Sequence, residues 1–247
     1  MIMNPSNLKK SYFLIIQFLL SLVSLESFRE LLNDSNGGLV LPSSGKAYND
    51  EDFLEYQRLE VDWTIKPVNP EDLPSDFCDE ACRLVDEFRR KTVNGKVEWM
   101  MYFDYKTGEV IYCWKGRKGH CGGDYNSVHF QGRNIASIHS HTRGYYSFPS
   151  PENFDILENG FEDYEIITSV GAMWIVEFKG YVDKSLRHNF QYLLGADINK
   201  MVHIIKLGHD EGDVDIIVEN VISNYLLWSL DKNLNGNELI LIKKEYD

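Results

Sequence analysis

The segment Asn134-Ile-Ala-Ser-Ile-His-Ser-His141 constrains the fold of this chain more than any other part of the sequence. It has the short apolar run that is typical of a buried strand. Because side chains alternate along a strand, Ser137, His139 and His141 share one face. The sequence therefore predicts a sheet that carries two neighbouring imidazoles at the end of one of its strands.

Strand and helix signals on both sides of this segment predict an α+β fold, in which a mixed β-sheet is flanked by helices in an α/β/α-like arrangement. The expected elements are a helix over 75–91 with Ser75 as its N-cap, a hairpin of strands 97–103 and 109–114, the strand 134–141, a helix that begins at Ser150-Pro151, strands 165–170 and 173–178, helices between 185 and 230, and a strand over 239–242,.

Four segments are predicted along the chain. Residues 1–38 form a long apolar N-terminal helix, and 39–74 form a proline-broken connector with one strand around 61–65,. Residues 75–180 form the core of the domain, and 181–247 complete it with helices. Lys9-Lys10 and the apolar run 12–25 leave targeting, membrane anchoring and packing against the domain all open, and with them a cytoplasmic or an exported location,.

The charge balance excludes one class of partner. Lys and Arg number 25 against 38 Asp and Glu, which gives a net charge of -13. A chain this acidic repels a phosphate backbone, so a nucleic-acid partner is not expected.

The four cysteines, Cys78, Cys82, Cys113 and Cys121, are too few for a disulfide scaffold in a chain of 247 residues,. A structural zinc site made of all four is one interpretation of their spacing. Their gaps lack the paired two-residue spacing of such sites, so buried thiols or disulfide pairs are the preferred interpretation.

The two histidines supply ligands that suit a catalytic zinc, which commonly takes three protein ligands and keeps a further position for water. A nearby glutamate must then accept the proton of that water. Glu98 opens the first strand of the predicted hairpin. A mixed sheet can bring that strand beside the one that carries His139 and His141.

The order of Glu98, His139-x-His141 and Pro149-Ser-Pro-Glu152 closely resembles the JAB/JAMM (MPN-type) metalloprotease family over about residues 97–178. The resemblance implies zinc as cofactor, with His139 and His141 as ligands. It also implies Glu98 as general acid and base, Ser150 as oxyanion partner, and a peptide or protein substrate cleaved at a peptide or isopeptide bond.

The chain departs from this family pattern at the third ligand, because Asn153 stands where the family has its aspartate. A neutral amide is a weak zinc ligand compared with a carboxylate. The loop between His141 and Ser150 is one residue longer than is usual in the family. If that extra residue is ignored, Glu152 lies at the family's usual distance from His141. Asp155 reaches the site if the first helical turn unwinds. We favour Asp155 in an active enzyme; a catalytically inactive MPN-like binding or scaffolding module is the alternative function.

Overall fold

The computed structural model describes residues 50–118, 121–123, 127–143, 146–150, 153, 162–179, 195, 197–207, 214–233 and 239–246. Within these ranges the chain forms one six-stranded sheet with helices on both faces. The predicted α+β class and mixed sheet are confirmed.

The sheet is mostly antiparallel and has the strand order β2-β1-β3-β4-β5-β6. Only β3 and β4 run parallel to each other. The strands are β1 (Trp99–Asp104), β2 (Val110–Lys115), β3 (Ile135–Ser140), β4 (Glu162–Thr168), β5 (Ala172–Phe178) and β6 (Leu239–Glu245). The predicted hairpin is formed by β1 and β2, and Gly108 in its turn has a φ of 76°, a conformation that suits glycine,.

Helices cover each face of this sheet. On one face lies α2 (Asp79–Thr92), whose apolar side packs on β1, β3 and β4. The other face is covered by α3, which includes residues 197–207, and α4 (Val214–Asn233). A further helix, α1 (Asp50–Arg58), contacts the edge strand β2.

Two local predictions before the sheet are wrong. The segment 61–65 is a turn and not a strand, because the Asp62 carboxylate accepts from the backbone N–H of Thr64 at 2.9 Å and from its hydroxyl at 2.6 Å,. The connector instead contains α1. The next helix begins at Asp79 with Cys78 as N-cap, and Ser75 does not cap it, because the backbone turns between Pro74 and Phe77 first.

The C-terminal segment supplies both a helical layer and an edge strand. Seven residue pairs join β5 to β6, so the strand predicted over 239–242 is longer than expected. The apolar face of α4 packs on the strands that follow the histidine strand, where Trp174 is fully buried.

Several predicted elements lie outside the described residues. These are the N-terminal helix over 1–38 and the helix that follows Ser150-Pro151. Among the described helices, none combines the length and the apolar character that crossing a membrane requires.

Candidate functional site

The two histidines lie at one end of β3, near the middle of the sheet. His139 pairs with Met100 of β1 on one side and with Ile167 of β4 on the other. His141 follows the last residue of β3, and its backbone N–H donates to the carbonyl of Thr168 at 2.8 Å. That bond keeps the chain extended past the strand end, so both imidazoles reach the same face of the sheet, as the alternation predicts.

The ring nitrogens of the two histidines converge. The Nε2 atoms of His139 and His141 are 3.2 Å apart. Two nitrogens bound to one tetrahedral zinc at the usual bond lengths lie about 3.3 Å apart. Burial lowers the pKa of both imidazoles, and the proximity of His141 lowers that of His139 further. Both rings are therefore neutral near pH 7, which is the state in which histidine binds a metal.

The hydrogen-bond partners fix which nitrogen carries the proton. His141 Nδ1 lies 2.8 Å from the carbonyl oxygen of Tyr146, which can only accept, so the His141 proton is on Nδ1 and Nε2 is a bare acceptor,. For His139 the assignment comes from Asn153. Its Oδ1 accepts from the backbone N–H of Ser150 at 2.6 Å, which turns the amide nitrogen toward the imidazole.

The Asn153 amide nitrogen is 3.2 Å from His139 Nε2 and 3.2 Å from Glu165 Oε1. As a donor it requires His139 Nε2 to accept, which places the His139 proton on Nδ1. Both Nε2 lone pairs then face one another across 3.2 Å. Two bare acceptors this close repel each other unless a proton or a cation lies between them.

Glu98 is the residue immediately before β1. The antiparallel register sets Met100 of β1 opposite His139, so Glu98 lies at the end of the sheet where the histidines are. Only 6% of Glu98 is exposed. Burial raises the pKa of its carboxyl to about 7, although a hydrogen bond from the Cys121 thiol opposes the shift. The strand that follows Glu98 lies beside the histidine strand, as the sequence predicted.

The remaining predicted residues are only partly defined. Ser150 is half-buried, and its carbonyl accepts from the backbone N–H of Asn153 at 3.0 Å, so it lies one short turn from Asn153, which contacts His139. Glu152 and Asp155 lie outside the described residues. Among the side chains that the structure does describe, no three from His, Cys, Asp and Glu are placed to hold a metal ion together.

The described residues therefore fit a zinc ion in part. Two neutral imidazoles have suitable spacing, but Asn153 presents its amide nitrogen to them and its oxygen to Ser150. A donor N–H is not a metal ligand. A carboxylate from another position, with Glu152 and Asp155 the nearest in sequence, would have to complete the set.

The four cysteines, all within the described residues, do not come together to form a metal site. All four are free thiols, so the disulfide interpretation is wrong. Cys78 caps α2, Cys113 is buried within β2, and the Cys121 thiol donates a hydrogen bond to Glu98. Burial raises the pKa of Cys121, and the neighbouring Glu98 and Glu165 carboxyls raise it further.

Three residues of this site were not predicted to belong to it from the sequence. Glu165 is buried on β4, Cys121 contacts Glu98, and Glu219 of α4 accepts from the backbone N–H of Ser147 at 2.9 Å. Glu165 gave little signal in the sequence, because two other acidic residues, Glu162 and Asp163, lie on the same strand. The contact of α4 with the loop that holds His141 had none.

Comparison with protein families, with curated proteins and with solved structures finds no match to this chain.

Proposed function

We propose that this protein is a zinc-dependent JAB-like hydrolase that cleaves a peptide or isopeptide bond. The observation that carries the proposal is the pair of neutral imidazoles, His139 buried and His141 half-buried, whose Nε2 atoms are 3.2 Å apart. Support comes from Glu98, the residue before the adjacent strand β1, and from the order of sheet elements, in which the hairpin precedes the histidine strand as in the JAB/MPN pattern.

In this proposal His139 and His141 hold the zinc through Nε2, and a carboxylate from Asp155 or Glu152 completes the ligands. When bound, the zinc would supply Lewis-acid activation of water and of the substrate carbonyl. Ser150 would donate a hydrogen bond to the carbonyl oxygen as negative charge develops on it.

Glu98 moves the proton. Its carboxylate accepts a proton from the attacking water, whose oxygen bonds to the carbonyl carbon. As the C–N bond breaks, the same proton passes from Glu98 to the departing nitrogen, which leaves as an amine while the acyl part leaves as a carboxylic acid. A pKa of about 7 suits both halves of this exchange near neutral pH, because the group gains and loses a proton with little cost,.

A second function is favoured by one specific contact. The Asn153 amide donates to the same His139 Nε2 that a zinc ion would use. In a metal-free MPN-like module this bond would be permanent, and the histidines would serve only to support a surface that binds another protein. The inactive scaffold is therefore the alternative.

Zinc content and cleavage together decide between the two functions. The full chain, purified without chelator, is assayed for bound zinc and for hydrolysis of a panel of peptides and of lysine-linked isopeptides. We expect about one zinc per chain, lost in His139→Ala. Glu98→Gln keeps the zinc but reduces cleavage by about a hundredfold or more.

Two matched variants control for unspecific effects. His203→Ala removes an exposed histidine from α3, and Glu109→Gln removes an exposed acid from the hairpin that also carries Glu98. Both should leave zinc content and cleavage unchanged. A chain that binds no zinc, together with partner binding that survives replacement of both site histidines, would support the scaffold instead.

A further inference from the structure

Glu165 is a buried carboxylate to which neither the sequence pattern nor the proposed reaction gives a role. It lies on β4, where it pairs with Ser137 of the parallel neighbour β3, two pairs before the pairing of His139. Only 6% of it is exposed. Its Oε1 is 3.5 Å from His139 Nδ1 and 3.2 Å from the Asn153 amide nitrogen.

The groups around His139 divide between its two ring nitrogens. Glu165 Oε1 lies 3.5 Å from Nδ1, whereas His141 and Asn153 lie beside Nε2, and the Glu165 oxygen also contacts the Asn153 amide nitrogen. A carboxylate beside Nδ1 stabilises the tautomer that keeps its proton there, and this leaves Nε2 bare. Glu165 and Asn153 thus favour the same tautomer of His139, each beside a different ring nitrogen.

We propose that Glu165 is a positioning residue of this site: it fixes His139 with Nε2 toward His141 and supplies the negative charge that the family pattern places at position 153. The zinc consequences of this inference rest on the proposed function, whereas the tautomer of His139 does not.

The identity of residue 153 follows from this arrangement. An aspartate there would set a second carboxylate about 3.2 Å from Glu165 Oε1, a separation at which two carboxylates cannot both ionise freely,. The Asn153 amide instead donates to Glu165. The neutral side chain at 153 is therefore matched to the charged one at 165, and the two positions should be coupled.

The test uses four forms of the full chain: the parent, Glu165→Gln, Asn153→Asp and the double variant Asn153→Asp/Glu165→Gln. Zinc affinity is measured by competition with a chelating dye. We expect Glu165→Gln to weaken zinc binding by roughly 10- to 100-fold, as removal of the carboxylate behind a histidine ligand does. The double variant, which returns the carboxylate to position 153, should recover most of that loss. Glu177→Gln, on the adjacent strand β5, is the matched control and should bind as the parent does.

A second measurement needs no metal. In metal-free protein labelled with 15N at histidine, long-range 1H–15N spectra report which ring nitrogen carries the proton. We expect His139 to be protonated at Nδ1 in the parent and to become a mixture of tautomers in Glu165→Gln, with His141 unchanged. If His139 keeps the same tautomer without the Glu165 charge, the proposal is overturned.

The outcomes separate the two proposals. A parent chain that binds no zinc refutes the hydrolase, while the tautomer shift still decides the role of Glu165. A parent that binds zinc, with Glu165→Gln binding equally well, refutes the role of Glu165 and leaves the hydrolase standing. A double variant as weak as Glu165→Gln alone would contradict the transfer of charge between positions 153 and 165.

Discussion

Replacing Glu98 with glutamine should stabilise the metal-free protein, and by an amount that grows with pH. In the folded state burial raises the pKa of the Glu98 carboxyl from 4.5 to about 7. Between these values the folded protein holds a proton that the unfolded chain has released. The free energy of unfolding therefore falls as pH rises through this window, and above pH 7 the full penalty of a buried carboxylate is present.

The size of this effect follows from the same interval. Each tenfold change in an ionisation equilibrium is worth about 1.4 kcal/mol, so the interval from 4.5 to about 7 sets a ceiling of about 3 kcal/mol,. Water that still reaches the carboxyl screens part of the penalty, which leaves about 1–2 kcal/mol. Glutamine has the shape of the protonated acid and carries no charge, so Glu98→Gln escapes the penalty at every pH.

The assay is urea unfolding with a chelator present, at about pH 4.5 and about pH 8, on both forms. The two should be nearly equal in stability at the lower pH, and the variant should be more stable by about 1–2 kcal/mol at the higher one. Glu109→Gln, in an exposed ion pair, should show no such dependence. A stability difference between Glu98→Gln and the parent that stays the same at both pH values would refute the claim that this carboxyl is buried and electrostatically penalised.

Other predictions concern the structure that surrounds the site. Glu219→Gln weakens the hydrogen bonds that Ser147 donates to Glu219 of α4 through its backbone N–H and its hydroxyl. The variant should lose about 1–2 kcal/mol of stability in urea unfolding and exchange the Ser147 amide hydrogen faster. Unchanged exchange at Ser147 would argue against a role of these bonds in holding the loop. Gly108→Ala should destabilise the protein in the same unfolding assay by about 2–3 kcal/mol, because the positive φ is strained and the added Cβ would meet Glu80 of α2,. Gly132→Ala has a similar φ with open space around it and should cost less, so equal losses would contradict the contact. Arg89→Lys should lower the thermal midpoint, because the fully buried guanidinium donates to two backbone carbonyls and lysine cannot reproduce that fork; an unchanged midpoint would refute this,.

The sheet was largely predictable because its strands carry strong local signals. The run from Asn134 to His141 is apolar and short, and Gly108 marks the hairpin turn between β1 and β2. The observed strands differ from the predicted ones by up to three residues at their ends. We expected β1 to pair with β3 because the proposed chemistry needs Glu98 near the histidines, and the register confirms that the two strands pair.

Failures occurred where tertiary contacts override local preference. Ser75 is a better N-cap than Cys78 by intrinsic preference, yet the Cys78 backbone N–H bonds to the Tyr105 carbonyl, which fixes the chain there, and the helix begins after it,. The segment around Asp62 has strand-like composition, but its carboxylate closes a turn. Neither the Cys78–Tyr105 bond nor the Asp62–Thr64 bond produces a periodic pattern of apolar residues that the sequence could reveal.

The site divides in the same way. His139, His141 and Glu98 were predictable because their order along the chain, and the alternation that puts both histidines on one face of a strand, can be read from the sequence. Glu165 and Glu219 were not, because they act on the histidines from neighbouring elements, one beside a ring nitrogen and one through the loop that holds Tyr146. A single sequence does not show which strands are neighbours or which helix meets a given loop.

The proposed function requires His139 and His141 to bind one zinc ion through Nε2. Its most direct test is a crystal structure of the full chain grown with zinc, with diffraction recorded on both sides of the zinc absorption edge. We predict an anomalous peak about 2.0–2.1 Å from both Nε2 atoms, with a carboxylate as the third protein ligand. Crystals in which the two Nε2 atoms remain in contact with each other and with the Asn153 amide, and in which no anomalous peak lies near them, would contradict the claim.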